Sequence, residues 1–307
     1  MEITESARQG IMKYLGDKTD DFLSNADSVI DKYTGKWQLS QLAFMPTDTV
    51  NLLFSCDSAL YGACVLKMCI PSPEVATEIN CLRAYDGRGY VKLWDCDLKD
   101  NILLLEKITP GEQMWAVEGY PERARLMAHR IKDLSFVYCE QGEYPTYRTW
   151  MEGIYKTLTD MDNTKDALFY LNKAFQIYDE LKQKYNRSCL LHGDMHQENM
   201  LLNHQGEYII IDPKGVVDDP VMETARFLGN ENPCEQEKAK ILEIIALMSP
   251  IIGITQSDLL KSLYVDTALG RCWTFEEHFP TLEAFEESKR EAIEDCRYVY
   301  ELLPTDE

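Results

Sequence analysis

Apolar and polar residues alternate over much of the chain between residues 37 and 108, and this pattern predicts a small sheet interrupted by one helix. Val75, Ile79 and Leu82 recur at helical spacing and predict that helix over residues 74–85. Short apolar runs or partial two-residue periods, both typical of strands, occupy residues 37–44, 51–56, 62–69, 90–96 and 101–108. The stretch before residue 37 is interpreted as mixed helix and turn, with one amphipathic helix over residues 17–31.

The pattern changes to the helical period after Pro110 and Gly111. Pro121 suits a first helical position, and apolar residues continue from it at helical spacing. Residues 166–185 carry a second apolar helical face, whereas residues 200–212 break the pattern and predict a short hairpin.

The length of the chain fits two lobes. At 307 residues it is about twice the ~150 residues of a common domain, so each half can bury a core of its own. We expect a small sheet lobe at residues 1–108 and a larger, mainly helical lobe at residues 109–307.

The chain carries a strong negative charge. Lys and Arg total 31 against 52 Asp and Glu, which gives a formal net charge of −21. This field repels nucleic-acid phosphates and anionic lipid headgroups, so we expect no nucleic-acid partner and no membrane partner. A cationic small molecule would be attracted, although the charge of many acidic proteins serves only to keep them in solution.

No targeting or membrane segment is evident in the sequence. The N-terminus lacks the apolar run of a secretory signal, and the most apolar stretch, residues 244–254, is too short to span a bilayer. The ten cysteines form no CxxC pair and the five histidines form no HExxH pair, so the common zinc sites are unsupported. We expect a cytoplasmic protein.

Residues 190–202 hold an unusual density of groups suited to phosphoryl transfer. Asp194 and Asn199 lie five residues apart, and Asp212 follows 13 residues after Asn199 at the end of an apolar strand. Phosphoryl transfer needs a carboxylate that orients and deprotonates the attacking hydroxyl, and oxygen ligands that hold Mg²⁺ on the nucleotide phosphates. Asp194 suits the first task. Asn199 and Asp212 suit the second, because the predicted hairpin would fold their side chains towards each other.

The spacing of His192, Asp194 and Asn199 resembles the kinase catalytic loop H-R-D-x-x-x-x-N, with Gly193 in place of the arginine. This form is similar to that of the aminoglycoside phosphotransferase and choline kinase superfamily. The resemblance implies an α+β, protein-kinase-like bilobal fold, with a small antiparallel-sheet N-lobe and a larger, mainly helical C-lobe. It implies ATP and Mg²⁺ as cofactors. It also implies that His192 braces the loop by hydrogen bonding, with direct proton transfer as the less favoured alternative.

Three further segments narrow the resemblance. Residues 211–220 resemble the IDPKGVVGDP signature of the aminoglycoside/hydroxyurea resistance kinase family, which includes the streptomycin 6-phosphotransferases. Residues 223–228 resemble that family's D-x-A-R-F-L continuation, and residues 268–277 its A-L-x-x-x-W-S-x-E-D segment.

The resemblance runs in order from about residue 40 to residue 280 and is dense only over residues 190–230. Two departures stand out, since Asp218 occupies a position where glycine is usual and Glu223 one where aspartate is usual. These departures leave the fold unchanged and the substrate open.

By the same resemblance, the small lobe supplies the nucleotide clamp. Lys67 at the end of the third strand would hold the α- and β-phosphates, and Glu78 on the predicted helix would orient Lys67 by an ion pair. The alternative is a surface lysine and a solvated glutamate. Residues 45–50, which contain no glycine, would lie over the phosphates. Glu106 and Ile108 would lie in the hinge, where the backbone meets the adenine edge.

An aminoglycoside is a polycation, so its recognition calls for carboxylates arranged for charge-assisted hydrogen bonds. The candidate substrate ligands in the large lobe are Asp218, Asp219, Glu231, Glu276 and Glu277. Trp273 is interpreted as a core residue, with pocket lining as the alternative. Lys214 would either touch phosphate or pair with Asp218 or Asp219.

The sequence therefore predicts an ATP-dependent kinase that phosphorylates a hydroxyl of a cationic, streptomycin-like aminoglycoside. Two alternatives stay open. One keeps the chemistry and changes the substrate to a metabolite such as a sugar, an amino alcohol or a hydroxy amino acid. The other is a catalytically inactive nucleotide-binding protein.

Overall fold

The computed structural model describes residues 3–46, 50–139, 142, 144–231 and 238–304. In these ranges the chain forms a small lobe around one antiparallel sheet and a larger lobe of helices with short strands. This arrangement confirms the predicted α+β architecture of two unequal lobes.

The sheet of the small lobe has five strands and contains the predicted helix at the predicted place. The strands are β1 (Leu39–Phe44), β2 (Leu52–Ser58), β3 (Gly62–Met68), β4 (Leu93–Asp97) and β5 (Ile102–Glu106). They lie side by side in the order β1-β2-β3-β5-β4. The helices of this lobe are α1 (Glu5–Leu15), α2 (Thr19–Lys36) and, between β3 and β4, α3 (Glu74–Tyr85).

Alternation of side chains along β3 and β5 decides what each face of the sheet carries. Leu104 belongs to an outer apolar cluster that includes Tyr33 of α2. Its neighbour Leu103 belongs to the inner cluster, which includes Leu82 of α3 and continues into the large lobe. Lys67 lies opposite Leu103 across the strand pair, so its side chain emerges on the inner face, towards α3 and the cleft.

The segment before β4 differs from the prediction of a strand over residues 90–96. Strand β4 begins only at Leu93, and the residues before it pair with the large lobe instead. The N–H of Val91 donates to the carbonyl of Ile210 at 2.8 Å, and the N–H of Ile210 donates to the carbonyl of Gly89 at 3.0 Å. These hydrogen bonds tie the small lobe to the hairpin of the large lobe.

Helices form most of the large lobe. They are α4 (Tyr120–Asp133), α5 (Tyr147–Thr159), α6 (Lys165–Lys184), α7 (Ala225–Glu231), α8 (Lys238–Ile252), α9 (Gln256–Cys272) and α10 (Leu282–Tyr300). Pro121 lies in the first turn of α4, as its fixed φ angle favours. No single helix in the described ranges is long and apolar enough to cross a bilayer, although Ala239–Ile252 and Gln256–Glu276, bent by 115°, meet that test as a pair.

Two three-stranded sheets carry the centre of the large lobe. Their strands are β6 (Pro110–Gln113), β7 (Val137–Tyr138), β8 (Cys189–Leu191), β9 (Met200–Asn203), β10 (Tyr208–Ile210) and β11 (Val216–Asp218). One sheet has the order β10-β9-β6 and the other β11-β8-β7. Strands β9 and β10 form the predicted hairpin. Because β5 belongs to the small-lobe sheet and β6 to a sheet of the large lobe, we propose to keep the lobe boundary at residue 108.

Candidate active site

The loop between β8 and β9 holds the histidine, the aspartate and the asparagine of the predicted catalytic motif. Gly193 follows His192 with φ at +77°, a conformation that L side chains rarely adopt. A Cβ atom at Gly193 would lie 2.7 Å from Cγ1 of Val216 and 3.0 Å from the Trp150 ring. The backbone conformation and the neighbouring side chains therefore explain why glycine stands where the H-R-D form of the motif has arginine.

The ring of His192 joins the two segments of the site. The side chain is fully buried, its Nε2 lies 2.7 Å from the carbonyl oxygen of Ile211, and its Nδ1 accepts the N–H of Asp194 at 3.0 Å. This pattern fits a neutral ring that donates through Nε2. Burial lowers the pKa of His192 to about 4. The ring thus braces the loop as the resemblance implies, and it is poorly suited to take up a proton near neutral pH.

The buried carboxyl group of Glu223 supports the same loop through a backbone hydrogen bond. Oε1 of Glu223 accepts the N–H of His192 at 2.9 Å, and the side chain belongs to the 3₁₀ segment before α7. Burial raises the pKa of Glu223 to about 8, against the opposing effect of the backbone N–H donors. Glu223, which stands where the resembling family usually has aspartate, therefore contacts the backbone of the catalytic loop.

Asp194 lines a cavity of about 620 Å³ between the lobes. Its Oδ1 lies 3.2 Å from Nε of Arg226, and its Oδ2 lies 3.9 Å from Nε2 of His196. Burial opposes ionisation of Asp194, but Arg226 and then Lys214 hold its pKa below the ordinary value. The site thus presents an ionised carboxylate to the cavity.

The side chain of Asn199 is oriented by a hydrogen bond to the backbone of Asp194, five residues earlier in the motif. Its Nδ2 donates to the backbone carbonyl of Asp194 at 2.9 Å, and Nδ2 also lies 3.1 Å from Nε2 of His196. With the amide nitrogen engaged in this way, the Oδ1 oxygen is the group that Asn199 can offer to a metal ion.

Asp212 follows β10 in a left-handed backbone conformation, with φ at +57°. The N–H of Ile211 donates to the carbonyl of Asn199 at 3.0 Å, so the hairpin brings the backbone before Asp212 next to Asn199. Burial opposes ionisation of Asp212, but the ammonium of Lys67 holds its pKa below the ordinary value. Asp212 also lines the cavity that Asp194 lines.

Lys67 of the small lobe forms an ion pair with a carboxylate of each lobe. Its Nζ lies 2.7 Å from Oε1 of Glu78 and also pairs with Oδ1 of Asp212. The side chains of Lys67 and Glu78 are buried, which excludes the alternative of a surface lysine and a solvated glutamate. Burial opposes the charge on Lys67, but Asp212 and Glu78 raise its pKa well above the ordinary value. Burial in turn raises the pKa of Glu78 to about 7, although Lys67 counteracts it.

The predicted hinge residues do not line this cavity. Within the described part of the chain, its lining does not include Glu106 or Ile108. The N–H of Glu106 donates to the carbonyl of Lys92 at 2.9 Å, so a nucleotide would use other backbone groups of residues 106–108. Their adenine-binding role stays a prediction. Of the predicted phosphate segment, Thr47 to Thr49 lie outside the described residues, and Val50 lines the cavity.

The cavity lining also includes residues outside the catalytic motif. They are Lys13, Tyr14, Lys214, Trp273, Glu276 and Glu277. Nζ of Lys13 lies 2.7 Å from Oε2 of Glu277, and the hydroxyl of Thr157 donates to Oε1 of Glu276 at 2.7 Å. This part of the lining therefore combines two carboxylates, two ammonium groups and two aromatic rings.

Two residues of this lining had alternative interpretations from the sequence. Trp273 is half-buried and combines both of its alternatives, since it packs against the apolar core and also lines the cavity, with its ring 5.6 Å from that of Trp150. Lys214 pairs with neither Asp218 nor Asp219, so contact with phosphate is the alternative that stays a prediction. Nζ of Lys214 lies 4.9 Å from the centre of the Trp273 ring and 3.7 Å from Oε1 of Glu74, because the loop after Asp212 turns it towards the cavity.

Three of the five predicted substrate carboxylates are buried in internal contacts instead. Asp218 accepts hydrogen bonds from the Tyr178 hydroxyl at 2.6 Å and from Nζ of Lys182 at 2.8 Å.

Asp219 pairs with Arg187 at 3.1 Å and accepts the N–H of Val221 at 3.0 Å. Glu231 pairs with Arg123 through Oε2 and Nη2 at 2.8 Å. Since the cations and donors that these carboxylates need are supplied by the protein, we withdraw Asp218, Asp219 and Glu231 as substrate ligands. Only Glu276 and Glu277 of the five line the cavity.

Sequence reasoning gave no role to Arg226, Asp266, Lys13 or Tyr14. Arg226 belongs to the D-x-A-R-F-L segment, so the motif contained a signal for it. Asp266 lies in α9 and meets Arg226 at 3.3 Å, and Lys13 meets Glu277 across more than 260 residues of chain. No local pattern marks such contacts.

The fold and the motif in the loop between β8 and β9 are those of the protein-kinase-like class of phosphotransferases. Among solved structures, the chain is similar to a choline/ethanolamine kinase family protein from Mesorhizobium loti, with TM-score 0.66 and 14% identity over 89% of this chain and 95% of that one. It is also similar to an amicoumacin kinase solved with AMP-PNP and Ca²⁺, with TM-score 0.62 and 16% identity over 91% and 95%. At these identities the similarity shows the fold.

The sequence comparisons identify the family. The aminoglycoside/hydroxyurea antibiotic resistance kinase family matches residues 36–277, and the chain belongs to this family. A streptomycin 6-kinase from Streptomyces glaucescens is 20% identical over 72% of each chain. A hydroxyurea phosphotransferase from Kitasatospora aureofaciens is 27% identical over 54% of this chain and 49% of its own.

Proposed function

We propose that the protein is an ATP-dependent, Mg²⁺-requiring kinase that transfers the γ-phosphoryl group to a hydroxyl of a streptomycin-like aminoglycoside. The observation that carries the proposal is the double pairing of Lys67 with Glu78 and Asp212 beside a cavity that Asp194 also lines. Phosphoryl transfer depends on positioning and charge, and this arrangement supplies both. The reaction takes place in the cytoplasm, where ATP is available.

Each residue has a separate task in this reaction. Lys67 releases Asp212 and holds the α- and β-phosphates, while Glu78 keeps the ammonium group in place. Asp194 orients the acceptor hydroxyl and takes its proton, which leaves the oxygen free to attack the γ-phosphorus. The bond between the γ-phosphorus and the bridging oxygen breaks, and ADP leaves. His192 and Glu223 hold the loop in place by accepting hydrogen bonds from its backbone N–H groups.

The oxygens of Asn199 and Asp212 suit magnesium better than a metal that needs a full protein cage. In the described ranges no group of three or more His, Cys, Asp or Glu is placed to hold a metal ion by itself. Mg²⁺ is commonly held by one or two protein oxygens together with phosphates and waters. When bound, the metal neutralises phosphate charge, and Asn199 and Asp212 determine where it lies. The amicoumacin kinase structure with AMP-PNP and Ca²⁺ supports a nucleotide and a divalent ion in this fold.

The acceptor binds at the end of the cavity that Trp273, Glu276 and Glu277 line. Carboxylates bind guanidinium and ammonium groups through charge-assisted hydrogen bonds, and an aromatic ring stabilises a cation over its face. The similarity to streptomycin 6-kinases supports an acceptor with such groups.

A specific observation favours a second candidate, a kinase of a metabolite such as a sugar, an amino alcohol or a hydroxy amino acid. Glu277 is paired with Lys13, and Glu74 lies near Lys214, so the acceptor end is less negative than its carboxylates suggest. An inactive nucleotide-binding protein is disfavoured, because every predicted catalytic residue type is present and Glu78, Asp194 and Asp212 line one cavity.

An ATP-consumption screen tests the proposal. Streptomycin, hygromycin B, choline, sugars and hydroxy amino acids are each incubated with the protein, ATP and Mg²⁺, and ADP is measured. We expect turnover with streptomycin that Asp194→Asn lowers by on the order of 10²-fold or more. Asp162→Asn, the same change at an exposed site, should keep full turnover. An Asp194→Asn protein with wild-type turnover would contradict the assigned base.

The same screen separates the alternatives. Turnover only with sugars, choline or hydroxy amino acids, together with no rise in streptomycin tolerance of a sensitive host that expresses the chain, selects the metabolite kinase. ATP binding without turnover of any compound selects the inactive protein.

A further inference from the structure

Arg226 lies between two carboxylates of different elements. Its Nε is 3.2 Å from Oδ1 of Asp194, and its Nη2 is 3.3 Å from Oδ1 of Asp266. Asp266 is buried in α9, where the Tyr147 hydroxyl lies 3.5 Å from the same oxygen. Arg226 is thus anchored by Asp266 on one side and contacts Asp194 on the other.

This contact distinguishes the two oxygens of Asp194. Oδ1 faces the guanidinium of Arg226. Oδ2 lies farther from a side-chain nitrogen, at 3.9 Å from Nε2 of His196. An incoming hydroxyl would therefore meet Oδ2. The contact is an ion pair without a hydrogen bond at Nε, and its attraction favours one rotation of the carboxylate over others. Orientation of a reacting group to within about 1 Å changes rates by on the order of 10²-fold.

Gly270 provides the space that this arginine occupies. It lies inside α9, where alanine is the more favourable residue for a helix. A Cβ atom at this position would lie 3.0 Å from Nη1 of Arg226. Gly270 also lines both the main cavity and a second cavity of about 130 Å³ that Arg226 and Asp266 line. The guanidinium thus passes over the helix backbone at a residue without a side chain.

We propose that Arg226 is a positioning residue that orients Asp194 for the acceptor hydroxyl, with Asp266 as its anchor and Gly270 as the residue that gives it room. The inference rests on the proposed role of Asp194 as base. Arginine suits this task better than lysine, because a planar guanidinium can contact two carboxylates at once through different nitrogens.

Steady-state ADP formation from ATP and Mg²⁺ tests the inference, with streptomycin as acceptor and, separately, with water as acceptor. We expect Arg226→Gln to lower kcat about tenfold or more in both assays, with KM for ATP changed less than about twofold. Arg226→Lys should restore part of kcat, since it keeps the charge and loses the planar fork. A residue that only stabilised the fold would not give this split between kcat and KM.

Two further variants keep the test decisive if Arg226→Gln folds poorly with Asp266 left unpaired. The double variant Arg226→Gln/Asp266→Asn removes both charges together and should show the same loss of kcat. Gly270→Ala keeps every charge and favours the helix, so it should lower kcat without lowering the melting temperature. Arg271→Gln is the matched control. Arg271 lies next to Gly270 in α9, pairs with Asp295 of α10 at 2.8 Å, and its variant should keep wild-type kcat.

The outcomes separate the two claims. If Asp194→Asn is inactive while the Arg226 variants and Gly270→Ala keep wild-type kcat, the positioning role is wrong and the base assignment stands. If Asp194→Asn itself keeps wild-type turnover with both acceptors, the proposed base fails and the inference fails with it.

Discussion

Nζ of Lys67 lies 2.7 Å from Oε1 of Glu78, and both side chains are buried between β3 and α3. The pair fixes the ammonium group that β3 presents towards Asp212. We expect Lys67→Met to lower kcat/KM for ATP by on the order of 10²-fold, because it removes a preorganised charge from the phosphates. Glu78→Gln should cause a smaller loss, since Asp212 still attracts Lys67. Steady-state kinetics with varied ATP measures both, and Lys99→Met at an exposed position is the control.

The proposed metal ligands predict a dependence on Mg²⁺ that separates them from other active-site residues. Asn199→Ala should raise the Mg²⁺ concentration for half-maximal turnover about tenfold or more, and added Mg²⁺ should recover part of the rate. Asp212→Asn should not be recovered in this way, since it also removes the partner of Lys67. Asn172→Ala on the exposed face of α6 should keep the wild-type Mg²⁺ dependence. An Asn199→Ala protein with wild-type Mg²⁺ dependence would remove this residue from the metal site.

Burial of neutral His192 predicts a loss of stability in mild acid. The unfolded chain binds a proton near pH 6.5 and the folded chain only near pH 4, so the folded state loses stability as pH falls from 6.5 to 4. The loss is roughly 3 kcal/mol over the full interval. Glu223 acts in the opposite direction, because its raised pKa makes the folded state gain stability as pH falls below about 8. The comparison of wild type with His192→Asn therefore isolates the histidine.

Urea unfolding between pH 7 and pH 4.5 measures this effect. The wild type should lose more free energy of unfolding over that range than His192→Asn does. His129→Asn, at an exposed position, should behave like the wild type. Equal pH dependence of wild type and His192→Asn would show that the buried ring does not stay neutral.

The contact between Lys13 and Glu277 predicts competition with a cationic acceptor. Lys13→Gln frees the carboxylate of Glu277, so we expect KM for streptomycin to fall severalfold, whereas Glu277→Gln should raise it. KM for ATP should stay unchanged in both. Kinetics with streptomycin, with Lys18→Gln as an exposed control on the same segment, checks this. An unchanged KM in Lys13→Gln would mean that the acceptor does not reach Glu277.

The buried position of Asp218 predicts that its removal affects stability and not acceptor binding. Asp218→Ala should lower the free energy of unfolding by about 2 kcal/mol, because Tyr178 and Lys182 lose a charged acceptor. Its KM for the acceptor should equal that of the wild type. Glu276→Gln provides the contrast, with a changed KM and little change in stability, since Glu276 lines the cavity. Denaturant unfolding and acceptor kinetics of the two variants together decide between these roles.

Strong local patterns predicted the elements of the small lobe well. The five strands and α3 follow from short apolar runs and a helical period, and their order along the chain is confirmed. The strand predicted from residue 90 starts only at Leu93, because the backbone of residues 89–91 pairs with the distant strand β10. Such pairing depends on the meeting of two lobes, which no local pattern encodes.

The acidic residues show the limit of composition as a guide to function. Asp218, Asp219 and Glu231 are as acidic as Glu276 and Glu277, yet the first three are buried against protein cations. Glu276 and Glu277 line the cavity instead, and Glu277 pairs there with Lys13. Charge alone cannot tell a carboxylate with an internal partner from one that faces a cavity.

By itself the sequence determined the class of chemistry. His192, Asp194, Asn199 and Asp212 are close in the chain, so the local loop and hairpin structure is enough to bring them together. Only the tertiary structure decided how that site is completed. Arg226 meets Asp266, and Lys13 meets Glu277, across long stretches of chain. Their distances are set by how the lobes and helices pack, and packing depends on all the buried side chains together.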